Sequence, residues 1–300
     1  MLRRHIIIPS TPIRIGALKP SIHFIEVGPR DGLQNESKVL TIQQKQTFIS
    51  KLANTGISHI EAGSFVNYKK VPTMKDSREV LQGLHHLDTK LSVLVPHVKE
   101  LNDLPQNVSE IVLFVSTSNT FNQKNIGTTK EGAFERFQLM KQFLSLNNKN
   151  VQIRGSISCC WGCPYEGQTD SNVIMQIIDN YISLGATTID LCDTIGVATP
   201  QSVKELLSVV LQKYPARYFS VHLHDTNGLA IDCSLTALEH GIVTLQGSIA
   251  GIGGCPFSSK RVGNVDSLSL LHKVKESGYG VDIDLDALQE VKSWILHTLK

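Results

Sequence analysis

An α/β fold, a (β/α)8 TIM barrel followed by an extra C-terminal helix, is what the sequence predicts, on three observations. Eight strand-like runs are nearly all separated by helical segments, and strand–helix alternation implies a parallel sheet with crossover helices. Eight such units point to a closed barrel, because doubly wound sheets usually hold fewer strands. No Gly-x-Gly-x-x-Gly follows the first strand and no phosphate-binding P-loop occurs, which removes the main nucleotide-binding alternatives. The chain has 300 residues, and barrels of this kind run to about 250 as one domain. No linker or low-complexity tract divides it. Residues 1–21 are therefore expected as an N-terminal extension and residues 22–300 as a single barrel domain.

The elements follow in order. Ile22–Val27 reads as a strand closed by Gly28-Pro29. A helix over 41–54 carries Ile42, Phe48, Ile49 and Leu52 on one side and stops at Gly56. A strand at 57–62, a helix at 72–84 and a strand at 91–95 come next. Ile111–Val115 is a continuous apolar run, typical of a strand buried on both faces. Helix 130–146 aligns Phe134, Phe137, Met140, Phe143 and Leu144, and 151–158 is the next strand. In helix 172–184 the pairs Val173/Ile174, Ile177/Ile178 and Tyr181/Ile182 recur every four residues. A strand at 187–192, a helix opened by Pro200, a strand at 218–223, a helix at 229–239 and a strand at 242–249 complete the alternation. Helices at 265–276 and 285–299 end the chain, the last expected outside the barrel.

Composition bounds the function. Hydrophobic residues make up 41 % and charged residues 19 %, enough for a sizeable core. The net charge of +2 gives no case for nucleic acid or an anionic membrane surface as a partner. No apolar run approaches the ~20 residues that span a bilayer. The cysteines (159, 160, 163, 192, 233 and 255) are scattered, which suits a reducing compartment better than a disulfide framework. Arg3, Arg4, Arg14 and Lys19 stand in an acid-free start, as in a mitochondrial presequence, but Pro9, Pro12 and Pro20 argue against an amphipathic helix. A cytoplasmic location is expected, with the mitochondrial matrix as the alternative.

Chemistry points to Val221-His222-Leu223-His224-Asp225. Side chains alternate along a strand, so His222 and His224 project the same way, about 7 Å apart. They are either a ligand pair for a divalent metal or two structural histidines with other partners. The polar turn after them puts the pair at a strand's C-terminal end, where barrel enzymes place their chemistry. The same mouth collects Arg30 and Asp31 after strand one, Glu61 on strand two, Arg154 on strand five, Asp193 on strand six, and Cys255 and Asn264 after strand eight. Asp31, His222, His224 and Asn264 together offer two imidazoles and two oxygens, a set suited to Mg²⁺ or Mn²⁺. Asp31-Gly32 and Gly263-Asn264 are also ordinary turn pairs. Cys160-Trp161-Gly162-Cys163 has no second pair to complete a zinc site and opens no thioredoxin-like unit. Cys255 sits in a glycine-rich loop at the mouth, where a thiol can give or take a proton.

These segments resemble the 3-hydroxy-3-methylglutaryl-CoA lyase family. The resemblance is carried by Glu26-Val-Gly-Pro-Arg-Asp-Gly-Leu-Gln-Asn-Glu36, Glu61-Ala-Gly-Ser-Phe-Val66, Ser158-Cys159 through Gly167, Asp193-Thr-Ile-Gly196, the histidine stretch and Ala250-Gly-Ile-Gly-Gly-Cys-Pro256. It implies Asp31, His222, His224 and Asn264 as ligands of a divalent metal, Mg²⁺ or Mn²⁺. It implies Arg30 as the residue that stabilises an enolate, Cys255 in proton transfer, Glu61 and Asp193 as active-site acids and Arg154 as a substrate contact. The implied reaction is retro-Claisen cleavage of an acyl-CoA substrate to acetyl-CoA and acetoacetate, a step of leucine degradation and ketone body formation, by a homodimer.

The chain departs from the family pattern at Ser156, where tyrosine is usual, and at Trp161, Asn119, Gln246, Leu268 and Ser269. Ser156 is expected to open space around the acyl group and Trp161 to refill it. Other readings are the same chemistry on a different 3-hydroxy-3-alkylglutaryl-CoA, an aldolase-type relative acting on a 2-oxo acid, which the Gly-Gly-Cys-Pro loop opposes, and an acyl-CoA-binding barrel without turnover. A zinc hydrolase barrel typically carries its paired histidines on the first strand, not the seventh.

Overall fold

The computed structural model describes residues 19–254 and 263–300. Eight strands close in sequence order: β1 His23–Glu26, β2 His59–Ser64, β3 Lys90–Leu94, β4 Val108–Ser116, β5 Gln152–Ser158, β6 Thr188–Asp193, β7 Phe219–Leu223 and β8 Thr244–Gly247. Every neighbouring pair is parallel, and β8 returns to β1 with Phe24 opposite Leu245 and Glu26 opposite Gly247. The helices are α1 Ile42–Ala53, α2 Ser77–Gln82, α3 Asn119–Ile126, α4 Lys130–Leu146, α5 Ser171–Leu184, α6 Pro200–Lys213, α7 Ala230–Glu239, α8 Ser267–Glu276 and α9 Leu285–Leu299. The expected TIM barrel with its extra C-terminal helix is the observed fold. Among the described residues no helix is long and apolar enough to cross a membrane.

Strand parity divides the interior in two. Ile60, Ile111, Leu113, Ile157, Ile189, Leu191, Val221 and Leu245 face outward onto the helices and form the core between sheet and helical ring. Gly155 belongs to this face for a steric reason: a Cβ there would lie 2.6 Å from the Tyr181 ring of α5. The bare backbone lets Tyr181 Oη donate to the carbonyls of Leu113 (2.7 Å) and Ser156 (3.2 Å). The opposite parity points into the barrel and is largely polar, with Glu61, Ser92, Glu110, Arg154, Asp190, Ser220 and Gln246 all buried. α9 lies outside, its Trp294 ring 6.1 Å from that of Phe48 on α1.

Two elements differ from expectation. The helix expected over 72–84 is a 3-10 turn at Pro72–Met74 and then α2, because Lys45 Nζ takes the Thr73 carbonyl (2.5 Å) and pairs with Asp76. α3 is an addition to the expected elements. Its sequence is polar and lacks an apolar stripe; Ser118 caps it, accepting from the Phe121 N–H at 3.0 Å, and Gly127 ends it at φ 64°.

Candidate active site

The C-terminal ends of the strands open on a cleft of about 1080 Å³ lined by Arg30, Asp31, Asp190, His222, His224 and Gln246, among others. Arg30 and Asp31 are presented by a single helical turn, Gly28–Gly32, directly after β1. The N–H groups of Arg30, Asp31 and Gly32 all donate to the Val27 carbonyl, at 3.1, 2.8 and 3.2 Å, so the turn is tight. Such π-type turns cluster at functional sites because they aim side chains that a regular helix cannot. Beneath it, buried Glu26 accepts from the N–H groups of Gly28 (2.8 Å) and Ile249 (2.9 Å) and from Ser267 Oγ (2.6 Å). That one carboxyl ties the β1 turn to the loop after β8 and to α8, and burial pushes it up to about 7.

Asp31, His222 and His224 each turn one ligand atom into a common space. Asp31 Oδ2 lies 3.9 Å from His222 Nε2 and 3.8 Å from His224 Nε2, and the two Nε2 atoms are 3.3 Å apart. His224 Nδ1 lies 2.9 Å from the Thr194 carbonyl, which can only accept. His224 therefore carries its proton on Nδ1 and offers a lone pair from Nε2. His222 Nδ1 likewise lies 3.2 Å from Gln246 Oε1. Burial, opposed by Asp31, lowers His222 to about 4, so its ring is neutral at neutral pH. Burial opposes ionisation of Asp31, but the Arg30 guanidinium beside it holds its carboxyl well below the usual range.

Asn264 completes the cluster. Its amide nitrogen donates to Asp31 Oδ2 (2.9 Å) and to the Ile252 carbonyl (3.1 Å), while its buried Oδ1 has no hydrogen-bond donor among the described residues. Two imidazole nitrogens and a carboxylate oxygen thus lie close enough to hold one divalent cation, while Asn264 meets them through its amide nitrogen. Gly253 makes the approach possible: a Cβ there would lie 2.7 Å from the Asp31 carbonyl and 2.9 Å from Asn264 Nδ2.

Arg30 pairs with both Asp31 and Glu61, and Glu61 bridges it to Arg154. Burial favours a neutral Glu61, yet the two guanidinium groups hold its carboxyl below its ordinary value. Arg154 is fully buried in the barrel interior, with Asp190 Oδ2 at 3.2 Å from Nη1 and Glu110 Oε2 at 3.0 Å from Nε. The Glu110 contact is close as a charge pair but not aligned as a hydrogen bond. Arg154 does not itself line the cleft; it pairs with Asp190, which does, and is joined to Arg30 through Glu61. Asp193 is also spent structurally, accepting from the N–H groups of Val197 (3.0 Å) and Ala198 (2.7 Å) to shape the β6–α6 loop.

The expected pocket wall needs correction. Ser156 lines the cleft, with Oγ 3.2 Å from Cys192 Sγ. Trp161 does not refill that space: its Nε1 donates to the Ser202 carbonyl of α6 (3.3 Å) and its ring packs on the outer core. Leu268 is buried in the stripe of α8. Asn119 accepts from the Lys130 N–H at the start of α4 (3.0 Å). Cys159, Cys160, Cys163, Cys192 and Cys233 are free thiols, all buried. Cys255 lies outside the described residues. Glu26, Glu110, Asp190 and Ser220 complete the network without having been singled out in the sequence. Only Ser220 carried a signal of parity, two residues before His222 on the same strand.

The family model described as HMGL-like matches residues 21–295. The mitochondrial hydroxymethylglutaryl-CoA lyase of Homo sapiens is 36% identical over 287 residues, 95% of this chain and 88% of the relative. The cytoplasmic 3-hydroxy-3-methylglutaryl-CoA lyase of Rattus norvegicus is 36% identical over 94% of this chain and 82% of its own length. Among solved structures, the HMG-CoA lyase of Brucella melitensis superposes with a TM-score of 0.88 at 35% identity, covering 93% of this chain and 99% of that one. The enzyme of Acinetobacter baumannii, solved with coenzyme A and 3-methylmalate, gives 0.88 at 33% identity, covering 93% and 91%. The parallel barrel, the Asp–His–His cluster at its mouth and this likeness along nearly the whole chain agree, and the chain belongs to the HMGL-like family.

Proposed function

We propose that the protein is a divalent-metal-dependent lyase that cleaves 3-hydroxy-3-methylglutaryl-CoA to acetyl-CoA and acetoacetate. The observation that carries this reading is the convergence of Asp31, His222 and His224 beside Arg30 in one cleft, with Asn264 against Asp31. Asp31, His222, His224 and Asn264 would hold the metal, which when bound makes the C3 hydroxyl more acidic. Loss of the hydroxyl proton turns C3–O into a carbonyl; the electrons of the C2–C3 bond pass to the thioester as an enolate, and protonation at C2 gives acetyl-CoA. Arg30 offers a fixed cation to the developing enolate oxygen, and Glu61, itself held by Arg154, keeps Arg30 in place. Cys255 is proposed for proton transfer on the family resemblance; its neighbour Gly254 lines the cleft.

Lys69, Lys70, Lys75, Lys99 and Lys124 line the outer part of the same cleft, which supports an anionic acyl-CoA as substrate. The core that runs without a break from Phe24 to Ile295 supports one domain for residues 22–300. A homodimer is the proposed assembly and the cytoplasm the proposed location, with relatives of both cytoplasmic and mitochondrial kinds.

The test is cleavage of 3-hydroxy-3-methylglutaryl-CoA by purified protein with Mg²⁺ or Mn²⁺, following both products. Turnover abolished by chelation and restored by metal is expected. Metal binding without cleavage of any acyl-CoA would instead favour a binding protein. A second reading, a larger 3-alkyl substituent, is favoured by Ser156 in the cleft; a panel of 3-hydroxy-3-alkylglutaryl-CoA thioesters ranks the two.

A further inference from the structure

We propose that Gln246 is a positioning residue for His222, and that Ser220 and Asp190 set its orientation. The proposal rests on the metal reading of the cleft and names how this chain prepares one ligand. Ser220 Oγ lies 2.5 Å from Asp190 Oδ1, and Asp190 Oδ2 lies 3.2 Å from Arg154 Nη1. A carboxylate facing a guanidinium only accepts, so the single Ser220 hydroxyl proton goes to Asp190. Ser220 Oγ then has only lone pairs to offer its other neighbour. The Gln246 atom 2.9 Å away must accordingly be the amide nitrogen, which donates to it. That leaves Gln246 Oε1 facing His222 Nδ1 at 3.2 Å. An amide oxygen only accepts, so the neutral His222 ring carries its proton on Nδ1 and turns the Nε2 lone pair toward Asp31 and His224.

The contacts close a ring. From Asp31 they run through Arg30, Glu61, Arg154, Asp190, Ser220 and Gln246 to His222, whose Nε2 returns to within 3.9 Å of Asp31 Oδ2. The direction of every proton in the Ser220–Gln246 segment is dictated by the charge on Asp190. The partner of the imidazole is a neutral amide rather than a carboxylate, so it orients His222 without adding charge beneath the site. Partners that orient a ligating imidazole are typically worth about 10–100-fold in metal affinity.

The test measures Mn²⁺ affinity of the full chain by electron paramagnetic resonance at pH 8, where Asp190 is ionised, alongside the His222 tautomer in the metal-free protein by long-range ¹H–¹⁵N NMR. Gln246→Leu is expected to weaken Mn²⁺ binding about 10–100-fold and to lose the Nδ1–H tautomer as the dominant form. Ser220→Ala is expected to weaken it by a smaller factor, and the double variant to be no worse than Gln246→Leu alone. Gln246→Glu, which still accepts from Nδ1–H, should bind at least as well as wild type. Thermal unfolding checks that each variant is folded, and Ser220→Ala serves if Gln246→Leu is not. Unchanged Mn²⁺ affinity and tautomer in the variants would overturn the proposal while leaving the metal site standing. Wild type that binds no Mn²⁺ would overturn both.

Discussion

His222 and His224 turn Nε2 toward Nε2 across 3.3 Å, and each spends its Nδ1 proton elsewhere, on Gln246 Oε1 and the Thr194 carbonyl. Two lone pairs that close, with a carboxylate beside them, repel one another until a cation lies between. A divalent ion bound only by the folded chain should therefore stabilise it, by about 2.7 kcal/mol at a free concentration 100 times the dissociation constant. Thermal unfolding with Mn²⁺ and with chelator measures this. His224→Ala should abolish the difference; a variant still stabilised to the same extent would mean that the ion binds elsewhere.

Among the described residues Glu61 is the carboxylate that joins Arg30 to Arg154. In Glu61→Gln each guanidinium loses a charged partner in a buried layer, and stability should fall by about 3–5 kcal/mol in urea unfolding. Arg30→Met, by contrast, should act on the chemistry, lowering kcat by about 10²–10³-fold with a smaller change in KM. Equal losses of kcat and kcat/KM in steady-state assays would identify an interaction made in the transition state.

Glu26 makes stability depend on pH in an unusual direction. Its carboxyl is raised from 4.5 to about 7 by burial. Below 4.5 both folded and unfolded chains are protonated there. Between 4.5 and about 7 only the unfolded chain gives up the proton, so this group's contribution falls as pH rises and is constant above. The change amounts to roughly 3 kcal/mol. Glu26→Gln should remove it, and urea unfolding of both proteins at acid, neutral and mildly basic pH should show the variant gaining on wild type across that window. Parallel curves would count against the raised carboxyl.

Gly253 has φ 94° and no room for a side chain against the Asp31 carbonyl. Gly253→Ala is expected to push Asp31 and Asn264 apart, weakening Mn²⁺ binding and turnover by tenfold or more, on the scale of the ~1–3 kcal/mol that such backbone strain costs. Gly278, at φ 85° with nothing within 4 Å of its would-be Cβ, is the control. Gly278→Ala carries the same backbone cost and should leave affinity and turnover unchanged.

The barrel was legible because buried parallel strands and amphipathic helices repeat with different periods, and the His222/His224 pair because a strand sends alternate residues to one side. Strand boundaries were less legible. β4 begins at Val108, three residues before the apolar run, and so carries Glu110 into the barrel where a purely apolar strand was expected. Asp190 and Ser220 were hidden in the same way, inside runs whose outward faces are apolar. Position along the chain also misled. Trp161 lies three residues past β5 yet turns away to α6, since which side of a loop a ring takes is decided by packing with distant segments. Leu268 follows Asn264 closely but obeys the stripe of α8.

The meeting of Asn264 with Asp31 has a consequence for how the chain assembles. These residues lie 233 positions apart and approach only across the seam where β8 meets β1. Until that seam shuts, the amino-terminal strands hold a carboxylate and the carboxy-terminal ones hold the imidazoles, and neither half owns a complete set of donors. During synthesis the site is thus among the last features to form, and an ion captured there acts as a clasp on a finished barrel rather than as a seed for an unfinished one.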